Sequence, residues 1–84
     1  MSAAAVIISD KPADVVVHLC AEISLLCDVL RGERAYLALC AAYPSRDPGA
    51  EQRVLDGRLR EKNCLTLLKQ RRAELINAME ALAA

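Results

Sequence analysis

One breaker, Tyr43-Pro44-Ser45-Arg46-Asp47-Pro48-Gly49, divides the chain into two long arms and limits every fold open to it. Proline removes a backbone donor and clashes with the preceding turn, and the residue before it is pushed away from helical dihedrals. A helix arriving from the N-terminal side therefore ends near Ala42 or Tyr43. Asp47 is a favoured N-cap, Pro48 suits a first helical position and Glu51 falls in the first turn. A second helix is expected from 48 onwards. Both arms are rich in Ala, Leu and charged residues, most of which favour helix.

The first arm carries a heptad seam. Val16, Leu19, Ile23, Leu26, Leu30, Leu37 and Cys40 recur at steps of three and four, apart from one gap. Val15, Val17, Cys20, Leu25, Cys27 and Val29 widen this stripe beyond what one neighbouring helix covers. Ser9 and Asp10 can cap its start, with Pro12 in the first turn. Residues 1–9 read as a flexible apolar lead, 10–43 as helix, 44–49 as turn and 48–83 as the second helix, all in one domain. On the second helix Leu65, Leu68, Leu75, Met79 and Leu82 form a stripe with Arg72 inside it. Gly32 and Gly57 are places where either helix can bend, at about 1 kcal/mol each relative to Ala.

Folding the chain back at the breaker places residues opposite one another when their numbers sum to about 95, for equal rise on both helices. Glu33 and Arg34 then face Glu61 and Lys62, and with Arg60 these make a polar belt. Leu30 meets Leu65, Leu26 and Cys27 meet Leu68, Ile23 meets Arg72, Leu19 meets Leu75 or Ile76, and Val16 meets Met79. Tyr36, Leu37, Cys40, Leu55 and Leu59 form a smaller tip. The belt reads as a solvated, salt-bridged face, or more sharply as a layer that sets register or partner choice. Arg71 is expected to face solvent, and Arg72 to snorkel or pair with Glu22.

Composition decides how such a hairpin is used. The chain has 84 residues, no Trp, no Phe and two Tyr, and much of its 55% hydrophobic content is Ala. So small a core is marginal alone. The expectation is all-α: a long antiparallel helical hairpin that completes a four-helix bundle by homodimerisation or with a partner helix. The partner-binding face would be Val16, Leu19, Ile23, Leu26, Leu30, Leu65, Leu68, Leu75, Met79 and Leu82.

Chemistry is harder to place. The formal net charge is zero, so the basic, aromatic-bearing surface of a nucleic-acid binder is missing. The apolar run Ala3 to Ile8 is too short to span a membrane and lacks a positive flank, and four cysteines without a secretory signal suggest a reducing cytoplasm. Cys20, Cys27, Cys40 and Cys64 show no C-x-x-C spacing and read as small buried hydrophobes. His18 lies four residues after Asp14, which accounts for it as a surface pair. No catalytic set converges, and no metal or cofactor is expected.

Four short stretches invite a comparison: Leu25-Leu26, Leu30-x-x-Glu33-Arg34, Glu61-Lys62-Asn63-Cys64-Leu65 and Leu67-Leu68-x-x-Arg71-Arg72. Through them the segment from Leu19 to Leu82 resembles the chaperones of flagellar and related type III export, although this chain is shorter than the flagellar members. The resemblance implies a small cytoplasmic helical protein whose hairpin offers an apolar face to an export substrate, and it transfers no functional residue. The resulting expectation is a non-enzymatic protein-binding module that shields an apolar helix. The alternative is a self-contained structural or regulatory homo-oligomer.

Overall fold

The computed structural model describes residues 11–84; the apolar lead and the proposed caps Ser9 and Asp10 lie outside the described residues. Two helices account for almost all of it: α1 (Pro12–Ala42) and α2 (Ala50–Ala83). They pack against each other as a hairpin, and no strand occurs among the described residues. Pro12 opens α1 with Lys11 at the N-cap position, and Asp14 sits in the first turn near the positive end of the helix dipole. Tyr43 ends α1 by donating its N–H to Leu39 O at 2.9 Å.

The second helix starts two residues later than the capping signal suggested. Asp47-Pro48-Gly49-Ala50 closes a tight turn in which Ala50 N–H bonds Asp47 O at 3.0 Å, and Gly49 takes the N-cap position. That turn uses Asp47 before the helix begins. Its carboxylate accepts from Arg53 at 3.2 Å, and its backbone N–H is held by Ser45 Oγ at 3.1 Å.

The expected bends do not show as breaks, since helical bonding runs unbroken through Gly32 and Gly57. The two glycines sit in different surroundings. A Cβ added at Gly32 would meet nothing within 4 Å, whereas at Gly57 it would come within 3.1 Å of Leu37 Cδ2 and 3.3 Å of Tyr36 Cε2. Gly32→Ala is therefore expected to raise the unfolding free energy by about 0.5–1 kcal/mol through helix propensity alone. Urea unfolding followed by circular dichroism would show this as a higher midpoint with unchanged slope.

The seam of α1 keeps its expected row, and Glu33 fills the gap between Leu30 and Leu37 as a half-buried member. On α2 the inward row is a different one: Val54, Gly57, Glu61, Cys64, Leu68, Arg71, Leu75 and Ala78. It also alternates steps of three and four, but small and polar residues stand where large apolar ones were expected. Leu65, Met79 and Leu82 are instead 43%, 53% and 52% exposed. Axial heights agree with the folded-back numbering; α2 is turned about its own axis. The physical reason is proximity, because Gly57, Cys64 and Ala78 let α1 approach where larger side chains would hold it away. Leu59 consequently leaves the tip at 56% exposure, while Leu55, 55% exposed, borders a cavity there with Cys40 and Val54. Val54 and Gly57 stand opposite Tyr36, Leu37 and Cys40.

The packed core is thin. Leu19, Cys64 and Leu68 are its buried hydrophobic members, and Cys64 donates its thiol proton to Leu26 O at 3.2 Å.

Candidate partner-binding face

Two flanks border the seam, and they differ in chemistry. At 100° per residue, His18 and Glu22 lie on one side of Leu19 while Cys20 and Ile23 lie on the other. On α2, Glu74 shares the first flank with Arg71, and Leu65 and Arg72 turn to the second.

The first flank is bridged by charge at two heights. Arg71 donates to Glu22 through Nε and to Glu74 through Nη1, the latter at 2.7 Å. His18 Nε2 lies 3.8 Å from the other oxygen of Glu22. Further along, Arg60 Nε contacts both carboxylate oxygens of Glu33 at 3.0 and 3.1 Å, with its guanidinium 5.9 Å above the Tyr36 ring. Accepting hydrogen bonds from the two guanidinium groups, first Glu33 for Arg60 and Glu22 for Arg71, raises the pKa of both arginines. A raised arginine pKa contributes stability that persists below the ordinary guanidinium range and is lost only above it. On the basic side, these clamps hold throughout ordinary buffers.

These contacts correct the assignment of the basic cluster. Arg71, expected in solvent, faces α1 and takes Glu22, while Arg72 is exposed. The rotation of α2 by about one residue exchanges their roles. Within the belt Arg34 pairs with Glu61 at 2.9 Å and Arg60 with Glu33 at 3.0 Å, while Lys62 takes neither acid. Glu33 and Glu61 stand at seam positions with side chains only 19% and 27% exposed. The belt is thus mixed: its acids are half-buried across the interface, while Arg34 and Arg60, at 58% and 52%, reach into solvent.

The second flank is open. Cys27, Leu30, Arg34, Glu61, Lys62, Leu65, Leu68, Lys69 and Arg72 line a groove between the helices. Of the expected face, Leu30, Leu65 and Leu68 border this groove. Leu19 and Leu68 are buried in the hairpin itself, and Val16, Ile23, Leu26 and Leu75 are half-buried. The face is therefore divided between the internal seam and an exposed margin.

The cysteines do not share one environment. Cys64 is buried and Cys40 half-buried, but Cys20 and Cys27 are exposed, contrary to the expectation that all four are packed. One opposing helix cannot cover a stripe this wide. For the free chain, Cys20 and Cys27 are expected to alkylate at once and Cys64 only on unfolding, as mass spectrometry of a timed reaction would show. Among the described residues no group of three or more His, Cys, Asp or Glu side chains gathers as a metal site requires, and no helix is long and apolar enough to cross a membrane. No family model, curated protein or solved structure matches the chain.

Proposed function

We propose that this chain is a non-enzymatic protein-binding module that completes its core against a helix of another chain. The observation that carries this reading is the imbalance between the three buried hydrophobic residues among those described and the apolar margin beside them, where Leu65 and Met79 remain 43% and 53% exposed. Burying one such side chain contributes about 1.5–3 kcal/mol, so a covering helix gains substantially. The more specific form, a small secretion-type chaperone in the cytoplasm that shields an apolar helix of its client, is supported by the resemblance of the Leu19 to Leu82 segment.

A second reading has its own support. Leu25 and Val29, on the flank away from Leu65, are 65% and 53% exposed. Two copies covering those residues mutually would make a four-helix bundle, as a homodimer with no separate client.

Sedimentation combined with urea unfolding at several protein concentrations tests the shared premise. The isolated chain is expected to associate, with a concentration-dependent midpoint, or to unfold as a monomer of no more than a few kcal/mol. A monomer unfolding cooperatively in the usual 5–15 kcal/mol range, independent of concentration, would overturn the proposal.

A further inference from the structure

The rim of the open groove carries a charge pattern that selects among occupants. Lys62, Lys69 and Arg72 surround a floor of Cys27, Leu30, Leu65 and Leu68. None of these three bases has a carboxylate within 4.0 Å among the described residues. The remaining base of the groove, Arg34, is neutralised by its one acid, Glu61. The other interhelical acids, Glu22 and Glu33, are engaged on the opposite flank. The surplus at this apolar groove is wholly cationic.

We infer that this groove takes an amphipathic helix of a different chain, one whose apolar stripe is flanked by acidic residues. The inference rests on the protein-binding reading and names the chemistry of its partner. Helix-in-groove docking buries the Leu30 and Leu65 floor while the partner's carboxylates answer the rim. A second copy of this chain fits badly. Lys62 to Arg72 spans about 15 Å of helix, so a two-fold axis through the groove would bring like cations within about a Debye length of one another. A single-stranded nucleic acid would find leucines where stacking aromatics are needed. A flat anionic bilayer would meet the rim and leave the concave floor uncovered.

The test uses the full chain and two synthetic 20-residue peptides with leucines at helical spacing, one flanked by glutamates and its twin by lysines. Fluorescence anisotropy at low salt is expected to show the glutamate peptide binding about tenfold or more tightly, the gap narrowing as salt is added. K62E/K69E/R72E should invert the preference with helicity unchanged, since all three residues are exposed. Should that variant lose helicity, K69Q/R72Q should still weaken the glutamate peptide. The bound peptide should also slow alkylation of Cys27.

Equal affinity for both peptides, or binding that leaves Cys27 fully reactive, would sink the inference. So would charge-dependent binding to anionic vesicles with none to either peptide. Failure of both peptides overturns it in every case, and sedimentation then decides the wider reading. A dimer with Cys27 already protected would replace the leading reading with a homo-oligomer whose groove is filled by its own copy. A stable cooperative monomer would remove both.

Discussion

Leu19→Ala is expected to lower the unfolding free energy by about 2–3 kcal/mol, the low end of the range for a buried leucine. Among the described residues Leu19 is the most buried hydrophobic one, at 4% exposure, and Leu68, at 8%, should cost nearly as much. The low end applies because a two-helix interface can close partly over the lost volume, which limits the cavity term. In a chain whose total stability is expected to be a few kcal/mol, even this loss leaves much of the population unfolded. Far-UV circular dichroism of the variant at room temperature should show a large drop in helicity. Leu25→Ala, at a 65% exposed position, should stay within about 0.5 kcal/mol of the parent. Equal costs at Leu19 and Leu25 would mean that an assembly, not the hairpin seam, holds the chain together.

The second large effect concerns Gly57. Gly57→Val is expected to destabilise by about 1–3 kcal/mol, because its branched side chain must enter space already held by Leu37 and Tyr36. Gly57→Ala should be close to neutral. It gains about 1 kcal/mol of helix propensity, but its Cβ at 3.1 Å from Leu37 Cδ2 obliges that methyl end to shift by a few tenths of an ångström. The informative comparison is with Gly32→Ala, where the same propensity gain meets open space. Urea midpoints for the three variants should therefore rank Gly32→Ala first, Gly57→Ala near the parent and Gly57→Val last. A neutral Gly57→Val would show that the helices do not approach closely there.

These two sites separate what was legible in the sequence from what was not. The breaker, the two helices and the placement of Glu33 and Arg34 at the height of Glu61 and Lys62 all follow from local rules of chain geometry. Proline inside a helix stops it and proline at its first turn is tolerated, and equal rise on two arms fixes which charges share a height. The seam of α1 was equally readable, because its large apolar residues repeat at heptad spacing even beside the residues that widen the stripe.

The inward row of α2 was not. Leu65, Met79 and Leu82 form the more obvious stripe, and a reading that ranks residues by hydrophobicity chooses them. Gly57, Cys64 and Ala78 are too small to score well by that measure, yet smallness is what permits close contact. The same one-residue turn sends Arg71 to Glu22 and leaves Arg72 exposed, with consequences for the partner face.

The sequence by itself determined that the described residues are two long helices folded back at Tyr43 to Gly49, because backbone stereochemistry at proline and the heptad spacing of α1 are local properties. Only the tertiary structure decided which side of α2 is spent on holding the hairpin together. Rotation about a helix axis is set by how closely two surfaces can pack, and that depends on both helices at once. Close approach at the small residues turns Leu65 to the margin, beside three cations with no acid of their own.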